Sequence, residues 1–442
     1  MKINLPKQVA KIFALLEGHG YEAFLVGGYV RDALLGVVPN DYDFATNALP
    51  EQVKIALSGL HIIDTGLQHG TLMVVVDGMP IEITTYRGAQ EGKHPGTYAK
   101  SLKDDLSRRD FTINAFAYHH KNGLVDLFNG TADLNNRVIK CVGNPDERFR
   151  EDPLRIMRAM RLAAVLDFAI DPQTTLSMRS HKQLLAAVAS ERIASELIKM
   201  LCGKAVYGIL LTFIDVLGVF MPEILTMKDF VQNNKYHCYD VLTHTAHVVK
   251  NVPAVASLRL AALFHDIGKP HTYSFDKDGQ GHFYGHAMLS VQIAKEILLR
   301  LRFANATIER ATTLIKYHDT AIEAEEKAVK RWLNKVSEPV VRELLQLKRA
   351  DILGQSADFR DRLEQLVQTE KILNRIIADK ACFSLKNLAI NGHDLLDLGI
   401  PHGQDVGQML AFLLHKVIAG EIVNDRDDLL KEATTIYLEG TK

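Results

Sequence analysis

The sequence lacks any long uninterrupted apolar segment. No stretch of its 442 residues approaches the roughly 20 apolar residues of a membrane-spanning helix, and the N-terminal MKINLPKQVAKIF has no apolar core of signal-peptide length. We therefore expect a cytoplasmic protein with no membrane partner.

Cysteine is also scarce, and neither charge sign dominates. The four cysteines, at 141, 202, 238 and 382, show no CxxC spacing, which argues against a zinc ribbon and against a disulfide scaffold. The formal net charge is −1, so any nucleic-acid partner has to be held by local basic patches. Hydrophobic residues make up 47% of the chain, which is enough for more than one core.

The hydrophobic pattern changes near residue 150. Before it, strand-like runs such as 71–76 and 81–85 alternate with turns. After it, segments such as 183–217 and 288–301 carry apolar residues at intervals of three and four, and proline becomes sparse. The pattern predicts an α+β head followed by an all-helical remainder.

Two carboxylates spaced by one residue are the most informative feature of the head. Asp41 and Asp43 follow the apolar run and double glycine of FLVGGYVRDALLGVVPNDYDFAT. On a strand these two side chains would point the same way, while Tyr42 points to the other face. Adjacent carboxylates repel each other unless a cation lies between them, and Mg²⁺ carrying a nucleoside triphosphate is the simplest candidate. A solvated turn is the alternative interpretation.

The glycines before this pair allow the backbone to approach phosphates closely. The order GG, VRD, LG and DxD resembles the active-site signature of polymerase-beta-like nucleotidyltransferases. Within them it is similar to the class II tRNA nucleotidyltransferases, or CCA-adding enzymes, and to the related bacterial poly(A) polymerases. The resemblance implies a head with a small mixed β-sheet, in which Gly27, Gly28 and Arg31 contact the nucleotide and Asp41 and Asp43 hold Mg²⁺.

A third carboxylate is predicted from the run IEITTYR. Its alternation places Glu82 on the face opposite to Ile81 and Ile83, so Glu82 is a candidate neighbour of the aspartate pair. A solvent-facing strand glutamate explains the spacing equally well. The polar stretch 88–105 predicts a functional loop, and in the resembled family a flexible loop at this place helps to reshape the nucleotide pocket.

The block RRDFTINAFA supplies candidate nucleotide contacts. They are Arg108 and Arg109 for the triphosphate, and Asp110 and Asn114 for ribose hydroxyls. Asp110 and Asn114 would share one face of a helix. The alternative makes Asp110 or Thr112 the cap of a helix over 112–118. RRDFTINA is similar to the ribose-recognition motif of the resembled family.

The block EDPLRIMRAMR predicts a protein template for base selection. Cytosine and adenine both present an amine donor next to a ring-nitrogen acceptor, and uracil and guanine present the reverse order. A carboxylate beside a guanidinium complements the first pattern, so Asp152 with Arg155 would accept C and A. The alternative is a helix capped by Asp152, with Arg155, Arg158 and Arg161 as a basic stripe.

The same block resembles the EDxxR nucleotide-selecting motif of the family. That resemblance adds Arg158 and Arg161 to the nucleotide-binding set. In SERIASELIK, Glu191, Arg192 and Glu196 resemble the helix motif that follows in the neck.

A second metal site is predicted in the helical half. The pair His265 and Asp266 in LFHDIGKP, with His244 upstream and Asp351 downstream, could converge on one divalent ion with an open position for water. His247 is a rival to His244. Further candidates, for a second metal or for a substrate phosphate, are His286 and His318. This ordered set, together with Lys269, resembles the HD phosphohydrolase pattern, with Mn²⁺, Ni²⁺ or Mg²⁺ as the metal.

These resemblances together imply four domains. They are a nucleotidyltransferase head at 1–138, a helical neck with the nucleotide-selecting motif at 139–225, an HD domain at 226–355 and a tRNA-binding helical tail at 356–442. The implied function is addition of CCA to tRNA 3′ ends from CTP and ATP without a nucleic-acid template, by a monomer or homodimer. The alternatives are a poly(A) polymerase, a partial CC- or A-adding enzyme, and an HD phosphohydrolase whose head only binds RNA.

Overall fold

The chain forms two compact units, Met1–Ala205 and Val206–Lys442. The computed structural model describes residues 3, 5–39, 41–66, 70–86, 98, 99 and 101–440. Most of the loop predicted over 88–105 lies outside these residues. Among the residues that are described, no helix combines the length and the hydropathy needed to cross a bilayer. The boundary between the units falls inside the predicted neck, and the four-domain division stays a prediction.

A seven-stranded mixed sheet forms the core of the first unit. Its strands are β1 (Ala23–Val26), β2 (Asp43–Thr46), β3 (His61–Gly66), β4 (Thr71–Val76), β5 (Met79–Thr85), β6 (Phe116–His119) and β7 (Gly123–Asp126). Their order is β3-β4-β5-β2-β1-β6-β7. The β2–β5 pair is parallel and the other pairs are antiparallel. The predicted α+β class with a mixed sheet is confirmed.

The alternation in the sequence explains how β5 sits in this sheet. Ile81, Ile83 and Thr85 are buried, whereas Glu82 and Thr84 are only half-buried. In the parallel pairing with β2, Glu82 lies opposite Asp43. The fold therefore places the third carboxylate on the strand next to the aspartate pair.

Helices and one small strand pair complete the first unit. The helices are α1 (Lys7–Gly18), α2 (Gly28–Leu34), α3 (Pro50–Ala56), α4 (Leu102–Ser107), α5 (Gly130–Asn135), α6 (Pro145–Glu151), α7 (Leu154–Leu166), α8 (Pro172–His181) and α9 (Ser190–Leu201), with a 3₁₀ segment at Lys182–Ala187. The strands β8 (Val138–Ile139) and β9 (Ala169–Ile170) pair in parallel.

The helix considered over 112–118 is wrong. Residues Thr112–Asn114 form a single 3₁₀ turn, and the chain then enters β6. The physical reason is tertiary pairing: Phe116 and Ala117 are fully buried, and β6 hydrogen-bonds to β1 on one side and β7 on the other. Pairing and burial on both sides outweigh the local helical pattern.

The second unit is mostly helical. Its helices are α10 (Val206–Thr212), α11 (Ile214–Leu217), α12 (Val241–Asn251), α13 (Ala256–Phe264), α14 (Lys269–Thr272), α15 (His286–Arg300), α16 (Asn305–Tyr317), α17 (Glu326–Val336), α18 (Glu338–Leu353), α19 (Arg362–Ala378), α20 (Gly392–Asp397), α21 (Gln404–Ala419) and α22 (Arg426–Gly440). Short 3₁₀ segments lie at Pro222–Met227, Ala357–Phe359 and Leu385–Asn387.

The all-helical prediction needs a correction beyond residue 138. A hairpin of β10 (Ser274–Phe275) and β11 (Gly281–His282) interrupts the helices. The Asp276 carboxylate stabilises the turn of this hairpin, because it accepts hydrogen bonds from the backbone N–H groups of Asp278 and Gln280. The strands of this hairpin and of the β8–β9 pair have only two residues each, which is too short for a hydrophobic period to be recognised in the sequence.

Candidate functional site

A polar cleft of about 690 Å³ lies in the first unit. Its lining contains seven carboxylates and seven guanidinium groups: Asp32, Asp41, Asp43, Glu82, Asp105, Asp110 and Asp152, and Arg31, Arg108, Arg109, Arg155, Arg158, Arg161 and Arg192. Gly27, Gly28 and Asn114 also line it. All the head and neck residues predicted from sequence are thus brought to one cleft. Interspersed charges of both signs suit a ligand that combines phosphates with a metal ion.

Three carboxylates lie around the start of β2, two of them in register on neighbouring strands. Asp43 is the first residue of β2 and is in register with Glu82, and the Glu82 N–H donates to the Tyr42 carbonyl over 2.9 Å. Asp41 precedes the strand and is exposed. The donor set is all oxygen, which fits a hard cation such as Mg²⁺.

The glycine turn brings an arginine close to this trio. Gly27 has φ 72°, a backbone conformation that other residues rarely adopt. A Cβ atom there would lie 2.9 Å from Arg109 Nη1 and 3.9 Å from Asp43 Oδ2. Arg109 also forms an ion pair with Asp105 at 3.2 Å. The absence of a side chain at Gly27 therefore allows a guanidinium to lie beside the metal-type carboxylates.

A network around the buried Asp110 carboxylate joins the head to helix α7. Asp110 Oδ2 accepts bonds from Arg158 Nε at 2.7 Å and pairs with Arg158 Nη2 at 2.6 Å, and Asp110 Oδ1 accepts one from Asn114 Nδ2 at 3.1 Å. Asn114 Oδ1 in turn accepts a bond from Arg31 Nη1 at 2.7 Å. Burial, the largest single influence, raises the pKa of Asp110, but the Arg158 charge and the hydrogen bonds from Asn114, Arg158 and the Phe111 N–H together lower that pKa below its ordinary value.

This network shows how Asp110 and Asn114 come together. Their side chains are hydrogen-bonded as the four-residue spacing suggested, but across the 3₁₀ turn and not along a helix. Both Asp110 oxygens accept bonds from protein groups, including the Phe111 N–H. Asp110 therefore orients Asn114 and Arg158 towards the cleft.

The predicted base-selecting residues have different partners from each other. Asp152 Oδ2 pairs with Arg192 Nη2 at 2.9 Å, while its Oδ1 accepts the Leu154 N–H at 3.2 Å. Arg155 pairs with Glu151 at 2.7 Å and donates to the carbonyls of Arg148 and Arg108 at 3.0 and 2.9 Å. Asp152 thus accepts a hydrogen bond from a backbone N–H at the start of α7, which resembles the helix cap considered as the alternative to base selection. It also lines the cleft.

The neck helix α9 contributes two residues to this region. Arg192 pairs with Asp152, and buried Glu196 forms an ion pair with Arg161 at 2.6 Å. Burial is the main cause that lowers the pKa of Arg161. Arg192 was not among the residues predicted to bind nucleotide, although the SERIASELIK motif contained the signal.

A cluster of imidazoles and carboxylates lies in the second unit. It contains His244, His265, Asp266, Lys269, His286, His318 and Asp351, the residues predicted for the HD site. Asp266 belongs to two groups of possible metal ligands. The first group contains His244 and His265, and the second contains His286 and His318. His244 Nε2 lies 2.9 Å from Asp351 Oδ1 and 3.4 Å from Asp266 Oδ2.

Hydrogen bonds orient every imidazole in this cluster in the same way. The Nδ1 atoms of His244, His265, His286 and His318 lie 2.7–3.0 Å from the backbone carbonyls of Gly354, Ala262, Phe283 and Ile315. Each Nδ1 therefore donates, which leaves Nε2 as the metal-ligating atom. The Nε2 atoms of His244 and His265 are 3.3 Å apart, as are those of His286 and His318. A cation between such lone pairs removes their repulsion, so the residues fit divalent metal.

Lys269 is held by three partners at this cluster. Its Nζ lies 2.7 Å from Asp266 Oδ2, donates to Gln232 Oε1 at 2.9 Å and lies 3.4 Å from His237 Nε2. An ammonium has three protons, one for each of these partners. Because Gln232 and His237 fix the position of Nζ, the contact of Nζ with Asp266 fixes the orientation of that carboxylate. Gln232 and His237 were missed by the sequence reasoning, because single polar residues before a helix carry no spacing signal.

His247, the rival to His244, lies in an aromatic environment. Its ring stacks on Tyr239 at 4.7 Å and contacts Tyr207 at 4.6 Å. The two residues are three apart on α12, so they project in similar directions but towards different neighbours.

Comparisons with known proteins agree with this architecture. Residues 23–140 match the family model for the poly A polymerase head domain, residues 167–224 the one for a probable RNA and SrmB-binding site of polymerase A, and residues 235–355 the HD domain. The CCA-adding enzyme of Limosilactobacillus fermentum is 34% identical over 431 residues, covering 96% of this chain and 95% of that protein.

Two solved structures extend the likeness. The Bacillus stearothermophilus CCA-adding enzyme in complex with CTP is 26% identical with a TM-score of 0.74, covering 98% of both chains. The Thermotoga maritima CCA-adding enzyme complexed with tRNA has a TM-score of 0.59 at 22% identity, over 98% of this chain and 97% of that one, which shows a shared fold.

The Asp110–Arg158 pair generates a stability prediction. We expect Arg158→Met to lower the free energy of unfolding by roughly 2 kcal/mol near neutral pH, because it leaves a buried carboxylate without its ion partner. The low pKa of Asp110 stabilises the fold above the unfolded carboxyl pKa, and this contribution is lost as the pH falls through the folded pKa. In the variant the carboxyl loses the cation that lowers its pKa, so the deficit narrows as the pH falls towards the ordinary carboxyl pKa of about 4, and further as it falls through the lowered pKa of wild-type Asp110.

Urea unfolding at several pH values measures this deficit. The exposed Arg150→Met in the adjacent helix α6 is the matched control. A deficit that is the same at every pH, or equal to that of the control, would contradict the role of the ion pair.

Proposed function

We propose the functions of the two units from one premise: this chain belongs to the family of CCA-adding enzymes. The first unit is a CCA tRNA nucleotidyltransferase that transfers nucleotides from CTP and then ATP to a tRNA 3′ end and releases pyrophosphate. The observation that carries this assignment is the single cleft that gathers three carboxylates, the Gly27–Gly28 turn and seven arginines.

In the head, Asp41 and Asp43 are the proposed Mg²⁺ ligands, with Glu82 as the third carboxylate. Mg²⁺ held there supplies the positive charge that lowers the pKa of the terminal 3′-hydroxyl and stabilises the departing pyrophosphate. Arg108 and Arg109, which line the cleft, are the proposed contacts of the triphosphate oxygens. Asn114, oriented by Asp110 and Arg31, is the proposed hydrogen-bond partner of a ribose hydroxyl.

Base selection is assigned to Asp152 and Arg155. Both line the cleft, and together they supply the acceptor and donors that match the shared edge of cytosine and adenine. The two neighbouring arginines of α7 hold the surrounding network: Arg158 binds Asp110 and Arg161 binds Glu196. Arg192 holds the Asp152 carboxylate in place until a base is bound.

Two rival functions use the same head. A poly(A) polymerase or a partial enzyme would add only A or only CC, and is tested by incubating the protein with tRNAs that lack CCA, CA or A. A phosphohydrolase whose head merely binds RNA is disfavoured because RNA binding has no need of three adjacent carboxylates, which repel phosphates. The substrates and nucleotides belong to the cytoplasm, and we propose that location.

We further propose that the second unit hydrolyses phosphoesters, with 2′,3′-cyclic phosphates on RNA ends as the expected substrates. His244, His265, Asp266 and Asp351 would hold one divalent ion, and His286 and His318 a second ion or the substrate phosphate. A metal bound there lowers the pKa of a water nucleophile. The tail at 356–442 is proposed to bind tRNA, and the chain to act as a monomer or homodimer.

Removing either aspartate of the head tests the catalytic assignment. We expect Asp41→Ala and Asp43→Ala each to abolish nucleotide addition while tRNA binding stays nearly intact, because cationic contacts to phosphates hold the RNA. Incorporation of labelled CTP and a tRNA gel-shift titration measure the two properties. Glu51→Ala in α3, which removes an exposed carboxylate, is the control. Binding that falls in step with activity would mean that the pair is structural.

Replacing the base-selecting residues tests specificity. We expect Asp152→Ala or Arg155→Ala to permit incorporation of UTP or GTP, since complementarity to the base edge is lost while the carboxylate trio is untouched. Sequencing of the tRNA ends with each nucleotide gives the readout. Glu147→Ala and Arg150→Ala, exposed on α6, are matched charge controls. Intact selectivity with reduced unfolding free energy would support the cap interpretation of Asp152.

Removing the buried metal ligands separates the two activities. We expect the double variant His265→Ala, Asp266→Ala to lose phosphoester hydrolysis and to retain nucleotide addition, because the two sites lie in different units and use different ligands. Hydrolysis is assayed with Mg²⁺, Mn²⁺ and Ni²⁺, and circular dichroism checks folding. His271→Ala, an exposed histidine in α14, is the control. A wild-type protein inactive with every metal would reject the hydrolase function.

A further inference from the structure

An exposed aromatic residue lies two positions before His286, a member of the imidazole cluster of the second unit. Tyr284 follows the β10–β11 hairpin and is 77% exposed. The side chain of its neighbour Phe283 points the other way and is half-buried. The Phe283 ring contacts the Tyr273 ring, and Lys269 Nζ lies 5.2 Å from the centroid of the Phe283 ring. Phe283 is thus directed inwards and Tyr284, in the turn before α15, outwards.

A stack orients the Tyr284 ring. The His282 ring lies parallel to it, at an interplanar angle of 8° and a centroid distance of 5.3 Å. His282 is itself held by the Asp276 carboxylate, 2.9 Å from His282 Nε2. Asp276 is locked in the hairpin turn through its bonds to two backbone N–H groups. One face of the tyrosine is covered by an anchored imidazole, and the ring remains mostly exposed.

The hairpin is tied closely to the proposed metal site. His286, a proposed ligand, follows Tyr284 by two residues, so their Cα atoms are at most about 7 Å apart. The Phe283 carbonyl accepts the bond from His286 Nδ1 at 2.8 Å. Earlier in the same strand β11, a Cβ at Gly281 would lie 2.4 Å from the Gln232 carbonyl, and the Gln232 side chain accepts a hydrogen bond from Lys269. An element that holds ligands of the cluster therefore also carries the exposed ring.

We propose that Tyr284 stacks on the nucleobase of the substrate whose phosphoester is bound at the imidazole cluster. A flat, pre-oriented aromatic face fits a planar base and tolerates all four, because every base has a π-face. The substrate class is then a nucleotide or the terminal nucleotide of an RNA, in preference to a base-free phosphoester. This inference rests on the proposed phosphohydrolase function and names its substrate class.

Hydrolysis of paired substrates tests the inference. The pair is adenosine 2′,3′-cyclic phosphate and the 2′,3′-cyclic phosphate of methyl riboside, which lacks the base. Tyr284→Ala is expected to raise KM for the adenosine substrate about tenfold with kcat unchanged, and to leave both constants for the base-free substrate unchanged. Tyr284→Phe keeps the ring and is expected to behave as wild type, and Phe412→Ala removes an exposed aromatic residue elsewhere. An unchanged KM, or equal changes for both substrates, would overturn the proposal.

A binding measurement separates this inference from the hydrolase function. The chain has one tryptophan, Trp332, so Tyr284→Trp adds a local fluorophore whose signal is obtained by subtracting the wild-type emission. Adenosine 2′-monophosphate with Mn²⁺ is expected to quench it, and ribose phosphate is not. Quenching without any wild-type hydrolysis would reject the hydrolase but keep a nucleotide-binding site. Equal effects of the two ligands would overturn the stacking.

Discussion

The ion pair between buried Asp110 and half-buried Arg158 is the contact on which the proposed nucleotide cleft depends. It joins the turn after α4 to helix α7, two elements separated by 48 residues along the chain. A buried carboxylate without a cation would protonate or destabilise the fold, so the pair sets the position of α7 against the head. Through Asn114 and Arg31 the same carboxylate reaches the glycine turn. One charged contact thus orders the residues proposed for ribose and phosphate.

Charge compensation explains how a chain with a net charge of −1 can handle polyanions. The cleft concentrates seven arginines, yet most are held by a carboxylate or a carbonyl, as Arg155 is by Glu151 and the Arg108 carbonyl. Guanidinium groups fixed in this way are already oriented when a triphosphate arrives. Because the same cleft carries seven carboxylates, its affinity for phosphates depends on how the groups are arranged and on a bound cation, and not on net charge.

Sequence patterns predicted which strands carry the site residues better than they predicted the side-chain partners of those residues. Alternation in IEITTYR located β5, and its parallel register with β2 then placed Glu82 beside Asp43. The turn at Thr112–Asn114 could not be predicted, because pairing of β6 with two strands overrides the local helical preference. The partner of Asp152 was equally inaccessible, since Arg192 approaches from a helix 40 residues away. Motif order identified the residues, and only tertiary packing determines their partners.

Ligand chemistry explains how two metal sites can coexist in one chain. The described residues that line the cleft of the head offer carboxylate oxygens, which suit Mg²⁺, whereas the cluster of the second unit offers four imidazole Nε2 atoms, which favour transition metals. Backbone carbonyls hold each Nδ1 proton, so the imidazoles are committed to binding metal through Nε2. By this chemistry a transition metal would prefer the imidazoles to the carboxylates of the head. Mg²⁺ would then remain available to the proposed nucleotide site, so the two proposed reactions need not compete for one ion.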